Sequence, residues 1–278
     1  MTIRIAHLSD IHFGGEEPAA VEAAIGAVAA FAPNLTVVTG DLTLNGLPRE
    51  FRAARAWLDR LPRPLIATPG NHDTPYWNLV LRALVPFDRY RTYIGAPQLV
   101  GHDAPGLTAR CFNSARGAQP RLDWSKGAMA LEPLKAIDWG SDPTLKVFGC
   151  HHPLIDIAGA PVTGGVHRGD KAAAILAAAD VDLILTGHVH VPFALALPGA
   201  TSPCYALGAG TLSIRTRGVP ASFSTIVADG SAFEVTALGW TGRGFDLLKE
   251  WRLPRREAPQ AIPQLAGLSA GPAAPGAA

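Results

Sequence analysis

The sequence predicts an α/β fold, and three observations lead to that class. Short β-rich apolar runs occur at residues 3–8, 35–39, 65–68, 144–148 and 181–186. Near-continuous apolar runs of this length are typical of strands that are buried on both faces. Ala-rich helical patterns lie between them, at 18–31, 48–61 and 170–179. Strands that alternate with helices indicate βαβ units and a mainly parallel sheet.

The helix boundaries and the second half of the chain complete this prediction. Pro18 opens the first helix at a position where its missing N–H costs little, and Asp170 is the expected N-cap of the third helix. Further strand-like runs without helices between them occur at 193–197, 205–207, 222–227 and 233–238. We expect them to form an antiparallel sheet that packs on the first sheet.

The chain length fits a single enzyme domain, which we expect to span residues 1–254. Within it, residues 86–127 are rich in Pro, Gly and Arg, and could form a loop or cap insertion over the site. Residues 255–278 consist largely of Pro, Ala and Gly and are expected to be a disordered tail.

The composition argues against several classes of partner. The formal net charge is +1, so no overall charge attracts nucleic acid or an anionic membrane, although a local basic cleft stays possible. The three cysteines form no CxxC pair, which makes a disulfide framework a poor interpretation. No run reaches the roughly 20 apolar residues of a membrane span, and the N-terminus lacks a signal-peptide pattern. We expect a cytoplasmic protein, and the sequence does not indicate its oligomeric state.

Residue types that bind metals follow five of the predicted strands. They occur in the segments SDIH, GD, GNHD, GCHHP and TGHVH. These segments contain Asp10, His12, Asp41, Asn71, His72, Asp73, His151, His152, His188 and His190. Three glycines that adjoin them, Gly40, Gly70 and Gly187, fit tight turns and a close approach of the backbone.

The spacing of the first motifs indicates one shared site. Asp41 lies 31 residues after Asp10, and Asn71 lies 30 residues after Asp41. Each step matches one βαβ unit of about 30 residues. Right-handed crossovers place such strand ends on the same edge of a parallel sheet, where ligands of open α/β sheets bind. We therefore expect all five strand ends to meet at the edge of one sheet.

The chemistry of these side chains favours a pair of metal ions. Carboxylates and imidazoles without thiolates suit Mn, Fe or Zn. The set is too large for one tetrahedral ion, and a shared carboxylate can bridge two ions about 3.5–4 Å apart. Such a pair supplies a bridging hydroxide as nucleophile and stabilises phosphate oxygens during an in-line displacement.

The ordered pattern DxH, GD, GNH(D/E), HHP and GHxH resembles the calcineurin-like metallophosphoesterase superfamily. It is similar in particular to the small cyclic-nucleotide and glycerophosphodiester phosphodiesterases. The resemblance spans residues 10–190, about two thirds of the chain. It implies a four-layer αββα sandwich, in which two mixed β-sheets are flanked by helices.

The resemblance also implies a role for each residue. Two divalent or trivalent ions are implied, and their identity (Mn, Fe or Zn) stays open. The first ion would be held by Asp10, His12 and His190, the second by Asn71, His151 and His188, and Asp41 would bridge both. His72 would face the substrate, and Asp73 would orient His72. The family pattern makes the first histidine of HHP the ligand, hence His151 rather than His152.

A few further residues are candidates for substrate binding. His167 and Arg168 lie in the Gly-rich loop TGGVHRGD, which could offer an arginine to a phosphate. A plain surface loop is an equally good interpretation of this segment. Asn45 closely follows the GD motif and is a third candidate.

The expected function is hydrolysis of a small or moderate-size phosphodiester. A metal-bridging hydroxide would attack in line, and His72 would assist departure of the leaving group. A phosphomonoesterase or a nucleotide-sugar pyrophosphohydrolase is the alternative within the enzymes. A non-catalytic binding scaffold with the same fold is the alternative of another class. The expected partner is a small-molecule phosphoester, with no strong sign of nucleic-acid binding.

Overall fold

The computed structural model describes residues 2–120, 123–140, 145–160 and 165–255. Its strands are β1 Ile3–Leu8, β2 Leu35–Val38, β3 Leu65–Ala67, β4 Leu99–Ala104, β5 Leu107–Phe112, β6 Leu145–Gly149, β7 Leu183–Thr186, β8 Phe193–Ala196, β9 Tyr205–Gly208, β10 Ser222–Ala228, β11 Ala232–Trp240 and β12 Phe245–Pro254. Its helices are α1 Pro18–Phe31, α2 Pro48–Leu58, α3 Leu79–Leu84, α4 Asp88–Tyr93, α5 Leu131–Lys135 and α6 Gly169–Ala178.

The strands form two six-stranded sheets, and both are mixed. The first sheet has the order β12-β11-β10-β1-β2-β3, in which β1, β2 and β3 are parallel and the other strands run antiparallel to their neighbours. The second has the order β4-β5-β6-β7-β9-β8, with parallel pairs from β5 to β9 and antiparallel strands at both edges. The predicted α/β class is therefore confirmed.

Side-chain alternation along the strands builds a four-layer αββα sandwich. In β1, Ile3 and Ile5 point into a core between the two sheets, and Leu8 joins a second core beneath α1 and α2. In β7, Leu183 and Leu185 face the first sheet while Ile184 packs with α6. Because side chains of a strand alternate between its two faces, each sheet buries one face against the other sheet and one against helices. The layer order implied by the resemblance is confirmed.

The division of strands between the sheets differs from the prediction. β6 and β7 lie in the second sheet, not beside β1–β3, and β8 and β9 pair in that same sheet. β10–β12 instead extend the first sheet from β1. The expectation of one parallel sheet covered by an antiparallel one is thus wrong. A buried apolar strand has the same sequence pattern whichever of two sheets it enters.

Local details confirm some predicted boundaries and correct others. α1 spans the predicted residues, with Pro18 in its first turn, whereas α2 ends at Leu58. The N-cap of α6 is Arg168, at φ 62°, while Asp170 lies inside the first turn. The predicted N-cap at Asp170 is therefore wrong.

The described part of the region 86–127 contributes to the second sheet. It contains α4 and the β4–β5 hairpin, and β5 pairs with β6 as an internal strand of the second sheet. The predicted strand start at Thr144 lies outside the described residues, as does the tail beyond Arg255. Among the described residues, no helix has the length and apolar character needed to cross a membrane.

Two glycines offer a test of backbone conformation that is independent of packing. A Cβ added to Gly26, in the exposed part of α1, would contact no heavy atom within 4 Å. Gly26→Ala should raise the free energy of unfolding by about 0.5–1 kcal/mol, since alanine loses less entropy in a helix. Gly199 is equally open but has φ 75°, so Gly199→Ala should lower stability by roughly 1 kcal/mol. Urea unfolding midpoints measure both changes, and the same sign in both variants would contradict this account.

Candidate metal centre

The loops after β1, β2, β3, β6 and β7 converge although their strands belong to two sheets. Main-chain hydrogen bonds join these loops: the Asp10 N–H donates to Gly40 O (3.0 Å) and the His12 N–H to Asp41 O (3.0 Å). The Gly187 N–H donates to His151 O (2.9 Å) and links the two motifs of the second sheet. The site therefore lies where the carboxyl ends of both sheets meet.

The three residues predicted for the first ion lie together and are buried. His190 Nε2 lies 3.1 Å from Asp10 Oδ1 and 3.2 Å from His12 Nε2. Burial lowers the pKa of His12 to about 3, which keeps its imidazole neutral and able to bind a metal. The three side chains form one group with the spacing that a metal ion requires.

The residues predicted for the second ion form a neighbouring group. His151 Nε2 lies 3.1 Å from Asn71 Oδ1 and 3.3 Å from Asp41 Oδ2. The ring of His188 lies 5.2 Å from the ring of His151, centroid to centroid. Asp41 Oδ2 is also 3.8 Å from His12 Nε2, so this carboxylate lies between the two groups.

The backbone at these residues is strained. Eight non-glycine residues of the described chain have positive φ, and five of them are predicted ligands. The five are Asp10 (55°), His12 (52°), Asp41 (50°), His188 (69°) and His190 (60°). Such conformations cost about 1–3 kcal/mol each and persist where the surroundings enforce them, often at functional sites. In DxH and HxH this conformation recurs at both ligand positions of the motif.

The atoms that face each other in the site are mostly hydrogen-bond acceptors. His151 Nδ1–H donates to Thr39 O (2.8 Å) and His190 Nδ1–H to Arg215 O (2.7 Å), so each Nε2 directs a lone pair inward. Asp10 Oδ1 is buried and accepts no hydrogen bond within the described chain. Lone pairs that converge beside carboxylate oxygens favour a positive charge between them, and against the lowering effect of burial Asp41 accordingly raises the pKa of His151 to about 9. The residues present therefore fit metal ions, and carbonyls behind ligand histidines are the usual support.

The structure also distinguishes between the two histidines of HHP. Both ring nitrogens of His152 have protein partners: Nδ1 pairs with Ser114 Oγ (2.8 Å) and Nε2–H donates to Ser125 O (2.7 Å). His152 lies close to His151 and His188, but it has no free lone pair for a metal. The preference for His151 as the ligand therefore has a physical reason.

Two glycines are needed for the close approach of the loops. A Cβ on Gly70 would collide with the carboxylate of Asp41, and one on Gly187 would collide with Ser9 and Asp10. Both glycines were predicted on these grounds from their position beside the ligands. They allow the strand ends to come close enough for one site.

His72 lies beside both groups, and its ring orientation is fixed. The main-chain N–H of His72 donates to Asp41 Oδ1 (2.8 Å). The ring of His72 lies edge-on to the ring of His12, with 4.8 Å between the centroids. Nδ1–H donates to Leu44 O (2.7 Å), and Nε2 accepts from Arg215 Nη1 (3.0 Å). Because a carbonyl oxygen can only accept, Nδ1 must carry the proton, and the lone pair of the neutral ring therefore lies on Nε2.

The resemblance implied that Asp73 orients the ring of His72, but the hydrogen bonds of its carboxylate go to other residues. Its buried carboxylate accepts hydrogen bonds from Thr43 N (2.8 Å), Gly70 N (2.9 Å) and Leu42 N (3.2 Å). Burial and the nearby Asp41 raise the pKa of Asp73 to about 7, against the opposing effect of these amides. Asp73 therefore ties the GD loop to the GNHD loop, and Leu44 O holds His72 instead.

Arg215 is a site residue that the sequence analysis missed. Its main-chain oxygen supports His190, and its guanidinium contacts His72. It lies in the LSIRTR segment, which carries no recognised motif. The sequence offered one signal, the two arginines Arg215 and Arg217 at alternate positions, which begin 25 residues after His190.

The three candidates for substrate binding are less close to the centre. The Asn45 side chain faces Glu50, with 3.5 Å between Asn45 Nδ2 and Glu50 Oε1. His167 and Arg168 are exposed near the start of α6, and part of their loop lies outside the described residues. Gly165 of the same loop lines a small pocket beside His188. The proposed contacts of all three with substrate stay predictions.

Comparison with known proteins identifies the family. The model of the family described as calcineurin-like phosphoesterase matches residues 3–192 of the chain. The chain belongs to this family. It is therefore a phosphoester hydrolase by family, and the family uses divalent metals, in agreement with the His/Asp groups described above.

Individual relatives agree with this assignment. A Synechococcus protein named as a probable cyclic nucleotide phosphodiesterase is 29% identical over 205 residues, which cover 69% of this chain and 75% of that protein. Among solved structures, a dimetal phosphatase from Danio rerio has a TM-score of 0.59 at 10% identity, over 91% of this chain and 99% of that one. The purple acid phosphatase PPD1 of yellow lupin has a TM-score of 0.68 at 13% identity, over 92% of this chain and 54% of that longer chain. At these identities the two structures show the fold alone.

Asp41 gives a direct test of the metal centre. Asp41→Ala should remove both metal ions, since this carboxylate lies between the two groups. Elemental analysis after loading with Mn²⁺ and desalting measures the metal content. Asp246→Ala removes an exposed carboxylate of β12 and should leave the content unchanged. Full metal content in the Asp41 variant would refute the bridging assignment.

Proposed function

We propose that the protein hydrolyses a small or moderate-size phosphodiester at a binuclear metal centre. The observation that carries this proposal is the position of His72, whose oriented imidazole lies against His12 and whose main-chain N–H donates to Asp41. The Synechococcus relative, named as a probable cyclic nucleotide phosphodiesterase, supports the choice of a diester.

In this proposal the two groups of side chains described above would each hold one ion. Asp10, His12 and His190 would hold one ion, Asn71, His151 and His188 the other, and Asp41 both. Two such ions would activate a water molecule at neutral pH and stabilise charge on the phosphoryl oxygens. The identity of the ions, Mn, Fe or Zn, is set by availability as much as by these ligands.

His72 serves the leaving group in this proposal. A diester expels an alkoxide, which is a poor leaving group without a proton donor or a strong hydrogen bond. The hydrogen bond to Leu44 O keeps the proton on Nδ1, so Nε2 would have to take up a second proton from solvent before it passes that proton to the leaving alkoxide. The ring of His72 also lies within metal-binding distance of His12 and Asp41, but its Nε2 is bound by Arg215, and we assign it to the leaving group and not to a metal.

The cellular setting is part of the same proposal. A net charge of +1 and the absence of a membrane-crossing helix among the described residues fit a small-molecule phosphoester as substrate. We place the enzyme in the cytoplasm and its single domain at residues 1–254.

An exposed apolar surface beside His72 favours a substrate with an aromatic or apolar group. Six of the nine exposed large hydrophobic residues of the described chain lie between 76 and 85. They are Tyr76, Trp77, Leu79, Val80, Leu84 and Val85. Tyr76 stacks parallel to the ring of His72, at 6.2 Å and 5°, and Trp77 is 75% exposed beside Tyr76. Exposed apolar patches of this kind mark binding sites.

This surface also supports the second candidate function. A pyrophosphohydrolase that acts on a nucleotide sugar or lipid precursor would place an apolar or aromatic group beside the phosphate, as would a monoesterase of a similar substrate. A pure binding scaffold is disfavoured, because all seven ligand side chains are present and face one centre.

A substrate comparison tests the proposed reaction. His72→Ala should keep both metals and lower kcat for bis(p-nitrophenyl) phosphate by roughly 10²–10⁴-fold, the usual loss of a general acid. The wild-type protein should turn over this diester faster than p-nitrophenyl phosphate. His102→Ala, which changes a histidine of the distant strand β4, serves as the control. Unchanged kcat in the His72 variant would exclude its role, and faster monoester turnover would favour the second candidate.

The apolar surface makes a separate prediction. Trp77→Ala should raise KM for a cyclic nucleotide by about 5- to 100-fold, the range for loss of a base stacked on an aromatic ring. KM for a glycerophosphodiester, which has no ring, should stay the same. Trp77→Phe retains an aromatic face and should restore most of the affinity. An equal rise in KM for both substrates would mean that Trp77 supports the fold of this segment instead.

A further inference from the structure

Arg215 connects one ligand group with His72 through two different parts of one residue. It lies in the loop between β9 and β10. Its main-chain oxygen accepts from His190 Nδ1–H at 2.7 Å. Its guanidinium Nη1–H donates to His72 Nε2 at 3.0 Å. The backbone of residue 215 is therefore anchored at the centre, while its side chain extends across the substrate side.

The partner of this guanidinium is unusual in the protein. The other buried or half-buried arginines of the described chain, except Arg217, donate to main-chain oxygens or carboxylates. Examples are Arg4 to Phe31 O, Arg82 to Gly117 O and Arg110 to Asp103. Within the described residues, the guanidinium of Arg215 has no carboxylate partner, and the imidazole of His72 is its hydrogen-bond acceptor. A guanidinium offers five N–H donors, so most of this capacity is unused.

A second cation increases the unbalanced charge at this place. Arg217 is also half-buried and has no hydrogen bond or ion pair within the described residues. Burial, and then the positive charge of Arg215, lower the pKa of Arg217 below its ordinary value. Asp10 opposes this effect, but neither arginine has an ion pair with a carboxylate within the described residues. Two half-buried cations close in sequence create a local site for an anion although the whole chain is nearly neutral.

We propose that Arg215 is a phosphate-binding residue whose guanidinium leaves His72 and binds a phosphoryl oxygen of the substrate. Arginine binds phosphate with charge-assisted and often bidentate hydrogen bonds, which are stronger than its bond to a neutral imidazole. The move frees Nε2 of His72 to take up a proton from solvent and to donate it to the leaving group. This inference rests on the proposed function, because it assigns the binding of the charged part of that substrate.

Binding of inorganic phosphate tests the inference without turnover. Isothermal titration of phosphate into Mn²⁺-loaded protein compares wild type with Arg215→Gln, Arg215→Lys and, as a matched control, Arg243→Gln. Arg243 is exposed in the turn between β11 and β12. Arg215→Gln should weaken phosphate binding by about 10- to 100-fold, as expected for a lost charged hydrogen bond. Arg215→Lys should be intermediate, and Arg243→Gln should equal wild type.

Two results would overturn the inference. Unchanged phosphate affinity in Arg215→Gln, together with a lower kcat and an unchanged KM for a diester, would mean that Arg215 only positions His72. Loss of metal from Arg215→Gln in elemental analysis would mean that the side chain supports the ligands. Retained metal content is expected, since the contact to His190 comes from the main chain.

The same experiments separate this inference from the proposed function. If wild-type protein hydrolyses no diester but its phosphate affinity depends on Arg215, the inference holds and the proposed function fails. If wild-type protein hydrolyses diesters and Arg215→Gln matches it in phosphate affinity and KM, the inference alone fails.

Discussion

The whole site depends on a backbone constraint, which is that its ligands are held in the left-handed region at the ends of strands. Five predicted ligands have positive φ, at about 1–3 kcal/mol each. Main-chain hydrogen bonds between loops, such as His12 N–H to Asp41 O, and the three cores around the two sheets enforce this geometry. A compact four-layer sandwich is therefore a condition for the site, because an isolated loop would relax to ordinary φ values.

The second constraint is electrostatic, because the folded protein brings acceptors together before any cation is bound. Asp10 Oδ1 and the inward nitrogen of His190 lie 3.1 Å apart, and neither is a donor in the tautomer that Arg215 O imposes. A metal ion held by Asp10, His12 and His190 would relieve this repulsion, and its binding would then stabilise the fold. The carbonyls of Thr39 and Arg215 contribute by fixing the histidine tautomers in advance.

Local sequence patterns predicted the elements well and selected side chains that the fold brings together, but they predicted the assembly less well. The bounds of β1 and α1 agree with the prediction because Pro18 and a continuous apolar run fix them locally. The sharing of strands between sheets could not be predicted, since it depends on which long-range pairs form. The role of Leu44 in orienting His72 was equally hidden, because a main-chain carbonyl leaves no trace in residue type. Arg215 was missed since its position next to His72 arises only from the folded loop.

That loop explains how metal binding and substrate recognition are connected. The chain passes from the second sheet to the first between β9 and β10, and on this passage it contacts the metal site. Thr211 Oγ1 donates to Asp10 O at 2.6 Å, His190 donates to Arg215 O, and the Arg215 side chain reaches His72. One segment thus touches a predicted ligand of the first sheet, a predicted ligand of the second and the residue that we propose faces the substrate. Arg215 is held by its main chain at His190, so the position from which its side chain reaches His72 depends on the geometry of the metal centre.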